Sequence, residues 1–168
     1  MALWNVMYQD WQMECCGKPF RVGDRVAWPL LIDVDERGRE WRSELSEIEG
    51  PVESAGGGPV VCVDGVTVPW TGEGSWPPRL RLRGLLCVER HGGKWPETVG
   101  VVRGIQIVEQ GYVDAERVAG ERWLRPVEAC PKWFKRAVST GTRKGREYRR
   151  DETGVLISLE VEVEVEAG

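Results

Sequence analysis

The run GVLISLEVEVEVE (154–166) alternates Val161, Val163 and Val165 with Glu160, Glu162, Glu164 and Glu166. A period of two is the period of a pleated strand with one apolar and one wet face. The same signal returns in RLRLRGLLCVE (79–89), where Arg79, Arg81 and Arg83 alternate with Leu80 and Leu82. GVVRGIQIVEQGY (100–112) is β-branched and bounded by glycines. VVCVDGVTVPW (60–70) sets Asp64-Gly65 between two short apolar runs, a strong hairpin signal. FRVGDRVAW repeats the pattern around Gly23-Asp24.

Helical spacing is scarce. REWRSELSEIEG places Trp41, Leu45 and Ile48 on one helical face, with Gly50 as a stop. A second short helix is expected from Pro131, since proline suits a first helical turn. SAGGGP (54–59) and PWTGEGSWPP (69–78) read as loops, the latter dividing the chain loosely near residue 75. Many short strands between Gly/Pro turns predict a mainly β fold over residues 1–168 as a single domain. The expected architecture is a small SH3-like or OB-like partly open barrel, or a sandwich, with one or two short helices.

The chain has 168 residues, 41% hydrophobic and 30% charged, with a net charge of −4. That is enough chain for a substantial core, and its charge exerts no overall pull toward nucleic acid or acidic membranes. The N-terminal MALWNVMYQDWQMECC lacks the pattern of a leader, and no apolar run approaches the ~20 residues of a membrane span. A cytoplasmic location, no membrane partner and a monomer or homodimer are therefore expected. Five cysteines cannot all pair within one chain, and a reducing compartment predicts free thiols without a disulfide.

Cys15 and Cys16 are adjacent, whereas Cys62, Cys87 and Cys130 are each isolated. Zinc sites usually take close pairs such as C-x2-C, and neighbours in a strand point to opposite faces. The expectation is therefore two small buried side chains and no metal or cofactor; a metal pair and a reactive thiol are the alternatives. His91 is the only histidine, so a Cys/His catalytic site would need Cys15 or Cys16 to meet it. Glu89 lies two residues before His91, on the same face of a strand, where it could orient the ring. No GxGxxG, Walker-type loop or HExxH occurs, which leaves a non-catalytic binding or regulatory module as the favoured reading. Its ligand would be a protein or small molecule, held by Trp11, Glu89, His91 and Trp95 around the 14–28 corner, with Trp76 as a further exposed aromatic.

The most polarised segment, 132–150, carries Lys132, Lys135, Arg136, Arg143, Lys144, Arg146, Arg149 and Arg150 against Glu147 alone. Interleaved with Trp133, Phe134 and Tyr148, it suits nucleic acid through phosphate contacts and base stacking. The favoured alternative is an exposed hairpin whose charges pair with acidic neighbours such as the tail. The arginine row 79–83 is expected to lie beside the glutamate row 160–166. Asp33, Asp35 and Glu36 read as a solvated loop.

WQMECCGKPFRVGDRVAWPL, GLLCVERHGG, TVGVVRGIQIVEQGY, CPKWF and ETGVLISLEV together resemble an actinobacterial family of unknown function. The resemblance runs in order over nearly the whole chain. It implies one cytoplasmic module of this length from a high-GC soil bacterium, and it assigns no activity, cofactor or role to Cys15, Cys16 or His91.

Overall fold

Eleven strands and one short helix make up the computed structural model, which describes residues 2–35, 40–92 and 94–163. In chain order they are β1 (Leu3–Gln9), α1 (Asp10–Cys16), β2 (Arg25–Trp28), β3 (Leu30–Asp33), β4 (Ser46–Ser54), β5 (Pro59–Val63) and β6 (Val66–Pro69). Next come β7 (Arg79–Val88), β8 (Thr98–Val113), β9 (Glu116–Val127), β10 (Ser139–Arg143) and β11 (Arg146–Val161). One sheet joins them in the order β2-β8-β11-β1-β7-β4-β5-β6, with β9, β10 and β3 branching from β8, β11 and β7. The sheet curls into a half-barrel. Its far strand β6 returns to the start of β8, where the Thr67 amide donates to buried Thr98 Oγ1 at 3.0 Å. The mainly β, partly open barrel expected from the alternation is the fold.

The curl explains the alternation. Val6, Tyr8, Leu86, Val88, Ile105, Ile107, Val155, Ile157 and Leu159 point into the barrel and pack with Phe20 and Trp28. Met7, Leu85, Cys87, Val108 and Leu156 point the other way, into a second cluster capped by Trp41. Strands β1, β7, β8 and β11 are thus buried on both faces over part of their length, which is why LLCV and VLISL read as continuous apolar runs.

Three two-residue hairpins share a backbone form, with both central residues left-handed: Asp64-Gly65, Asp114-Ala115 and Lys144-Gly145. That form matches the right-handed twist of the flanking strands. Around Gly23 (φ 97°) the chain also turns tightly, with the Asp24 amide donating to the Arg21 carbonyl. The arm before that turn is not a hairpin strand; Arg21 forms an isolated bridge with Ala129, and β2 pairs with β8.

Both expected helices are corrected. Residues 46–54 form β4, with Ile48 opposite Leu82 and fully buried. Glu47 and Glu49 face out and pair with Arg81 and Arg79 of β7, at 2.7 and 3.7 Å. The arginine row therefore lies beside β4 and not beside the tail glutamates, which meet other bases: Glu160 pairs with Arg103 and Glu162 with Arg25. Residues 131–138 form bends without a helix, and the left-handed Ala137 (φ 52°) stops any helical run there. The one helix among the described residues is α1. Glu36, Glu164, Val165 and Glu166 lie outside the described residues.

The hairpin tips are tied by charge. Arg146 holds the Asp114 carboxyl below its ordinary range, and Arg143 does the same to Glu121. A carboxyl with a depressed folded pKa contributes stability above its unfolded value and loses it as pH falls through the folded value. Unfolding measured down from neutral pH is therefore expected to steepen below about pH 4, and Asp114→Asn to flatten that acid limb. An unchanged acid limb in Asp114→Asn would contradict this account.

Candidate functional site

Strands β1 and β7 are parallel neighbours, with Val6 opposite Leu86 and Met7 opposite Cys87. Parallel strands end on the same side of a sheet, so the segments leaving β1 and β7 meet there. The chain leaves β1 into α1, which ends in Cys15 and Cys16; it leaves β7 into the 89–92 turn, which carries His91. Seventy-six residues of separation collapse to one contact, with His91 Nε2 at 3.0 Å from Cys15 Sγ and 3.3 Å from Cys16 Sγ.

The two cysteines are joined to each other in a vicinal disulfide, and both are exposed. This corrects three expectations: no disulfide, burial, and opposite-facing side chains. The last failed because the pair ends a helix, where neighbouring side chains are about 100° apart and not 180°. Exposed Cys62 and buried Cys130 keep free thiols, and burial pushes the Cys130 thiol up to about 12. Buried Cys87 directs its thiol toward the Leu85 carbonyl.

Several contacts hold the His91 turn against α1. Gln12 is buried, and its Oε1 accepts the Arg90 amide at 2.6 Å; buried Tyr8 accepts Arg90 Nε through its hydroxyl at 3.1 Å. Glu89 Oε1 accepts the His91 amide at 2.7 Å, so Glu89 fixes the turn through the backbone and not through the ring. Trp11 stacks on the imidazole, 5.2 Å between centroids and 24° between planes. Its indole N–H is anchored to Gln9 Oε1.

From the other side, the basic segment clamps α1. Lys132 Nζ donates to the carbonyls of Met13 (2.8 Å) and Gly17 (3.0 Å), capping the helix end that carries the cysteines. A cation at a helix C-terminus is the favourable placement. Arg136 bonds Asp10 and Glu14, and also the carbonyls of Phe134 and Glu152. The rest of the segment pairs within the sheet: Arg143 with Glu121, Arg146 with Asp114, Arg149 with Asp151, and Arg150 with Glu109. Lys144 sits at the β10–β11 turn, and the Lys135 amide donates to buried Glu152. These bases pair with acidic neighbours in the sheet, Asp151 of the 151–168 block among them, as the hairpin reading expects, while the contacts of Lys132 and Arg136 with α1 lie outside that reading.

Glu89 also faces a cavity of about 330 Å³ on the other side of the turn. Leu31, Val60, Trp70 and Trp95 line it, between the 55–58 and 70–78 loops. Trp95 is half-buried, its indole N–H donating to the Leu30 carbonyl, so it is a wall of this cavity and not an exposed aromatic. Trp76 is exposed and does not line it. The expected site residues thus fall on two sides of one turn, with Trp11 and His91 at the cysteines and Glu89 and Trp95 at the cavity. Lys132 and Arg136 are the site-forming residues that sequence reasoning set elsewhere, and no local signal links them to α1.

Among the described residues no helix is long and apolar enough to cross a membrane. Neither the curated proteins nor the solved structures contain a match to this chain. A family model matches residues 2–161, and the chain belongs to the family of unknown function DUF6578.

Proposed function

We propose that this protein is a cytoplasmic, redox-responsive binding module, with the Cys15–Cys16 pair as its switch and the Trp95 cavity as its small-molecule site. The observation that carries the reading is the exposed vicinal disulfide faced by His91 Nε2. Such a bond is a poor staple. Linking adjacent residues removes about 1 kcal/mol of unfolded-chain entropy on the loop-closure model, against about 3 kcal/mol for a 15-residue loop. In a reducing compartment, disulfides are characteristically transient or sensing.

The switching step is a thiol–disulfide exchange with a cellular dithiol. A thiolate of that dithiol attacks one sulfur, giving a mixed disulfide, and the other sulfur departs as a thiolate. His91 Nε2 stands within reach of either sulfur, and as the imidazolium it gives its Nε2 proton to the departing one, is left as neutral imidazole and regains a proton from solvent. The second thiolate of the reductant then displaces the chain's remaining sulfur, which is protonated from solvent. Cys15 and Cys16 end as two thiols and the reductant as a disulfide, two electrons having moved. Glu89, bonded to the His91 amide and lining the cavity, links switch to ligand site.

Differential alkylation read by mass tests this reading. In the native aerobic protein only Cys62 is expected to label, and after treatment with a dithiol Cys15 and Cys16 are expected to label with it. His91→Ala is expected to slow the reduction by about tenfold or more, with the labelled end state unchanged. Full labelling of Cys15 and Cys16 in aerobic protein without reductant would overturn the switch.

A further inference from the structure

We infer that the reduced form of this site binds one divalent zinc-class cation through Cys15 Sγ, Cys16 Sγ and His91 Nε2, and that oxidation to the disulfide expels it. The inference rests on the pair opening to a dithiol, as proposed above. Among the described residues these three donors form the one compact cluster of metal-ligating atoms, all within 4.8 Å of one another.

The donor set has the right chemistry. Two thiolates and a neutral imidazole are borderline-soft ligands, matched to zinc and cobalt and poorly matched to magnesium or calcium. Two thiolates also neutralise a divalent charge, so an exposed site needs no further anion. Donors around a tetrahedral zinc stand roughly 3.6–3.8 Å apart, given Zn–S near 2.3 Å and Zn–N near 2.0–2.1 Å. In the disulfide form His91 Nε2 stands 3.0 and 3.3 Å from the two sulfurs; on reduction the sulfurs part to roughly 3.8 Å and the imidazole withdraws by roughly half an ångström. With all three residues exposed, the fourth position is open to water or to a ligand atom.

The donors are also held in place. The imidazole is fixed by the Trp11 stack and by a turn bonded to Gln12, Tyr8 and Glu89. The cysteines end a helix capped by Lys132. These supports hold the turn and the helix end, and with them the three donors, close together. The bonded sulfurs of the disulfide cannot serve as thiolates, so oxidation and metal occupancy exclude each other.

The experiment uses the full chain, reduced under inert gas, with thiols counted before metal is added. Zinc is titrated against a chromophoric chelator, and cobalt is added in parallel for its visible spectrum. One zinc per chain and an intense tetrahedral thiolate–cobalt spectrum are expected from the reduced protein. The oxidised protein, identical in sequence, is expected to bind none. Cys15→Ser, Cys16→Ser and His91→Ala should each abolish stoichiometric binding, while Cys62→Ser should leave it intact. Under half an equivalent of zinc in protein with both thiols counted free would overturn the metal site and leave the switch standing. Binding retained in Cys15→Ser and His91→Ala would overturn it too. A pair that never oxidises would remove the switch and leave the zinc measurement valid.

Discussion

Gly154→Ala is expected to cost about 3 kcal/mol or more in denaturant unfolding, from φ strain and a backbone clash together. Gly154 sits in β11 at an irregular step, where the register against β8 shifts between Glu152 and Gly154. Its φ is 143°, a region that only glycine adopts without strain. A Cβ there would stand 2.2 Å from the Tyr8 carbonyl oxygen of β1 and 3.1 Å from Gln9 Cα. Both are backbone atoms, so no side-chain rotation relieves the contact. Gly141→Ala in β10 is the control, since a Cβ there meets nothing within 4 Å. A loss under about 1 kcal/mol for Gly154→Ala would contradict the packing of β11 against β1.

Ile157→Ala is expected to lose about 3–4 kcal/mol, and Ile157→Val about 1 kcal/mol. Ile157 is fully buried in β11, opposite Val6 on one side and Ile105 on the other. The three side chains belong to three adjacent strands, whose hydrogen-bonded ladders hold the cavity open against collapse. The change should appear in the denaturant midpoint with the slope preserved. A loss under about 1.5 kcal/mol for the alanine variant would mean that the barrel interior repacks freely.

Much of the fold was legible because burial imposes a period. The alternation in 79–89, the β-branched run 100–112 and the described part of the alternation in 154–166 fall on β7, β8 and β11. Asp64-Gly65 was readable as a turn because glycine reports a left-handed position, whereas Asp114-Ala115 adopts the same form with an alanine at φ 68°. Trp41, Leu45 and Ile48 misled because four-and-three spacing coexists there with strict alternation of Glu47, Ile48 and Glu49. Helix-favouring residue types masked that alternation. Charge rows announce that a partner of opposite sign exists, without saying which: the β7 arginines found Glu47 and Glu49, and Lys132 and Arg136 found α1.

The site was legible as residue types and not as a place. Cys15, Cys16, His91 and Trp11 stood out by composition, yet nothing within one window of sequence predicts that β1 and β7 lie side by side and parallel. The disulfide was missed because an odd cysteine count and a reducing compartment speak to the chain as a whole and not to one adjacent pair, and its facing side chains were missed for a local reason. The strand geometry assumed for 14–16 gave way to a seven-residue helix whose last turn aims both sulfurs at the same imidazole.

The position of β1 between β7 and β11 also sets a timetable. Residues 3–9 are made about 150 residues before the segment 154–160 that completes one whole flank of that strand. At ordinary translation rates the interval is on the order of ten seconds. Throughout it, the emerging chain carries a hydrophobic strand with an open edge. Ribosome-associated chaperones act on that kind of surface, and β11 is the strand whose arrival closes it.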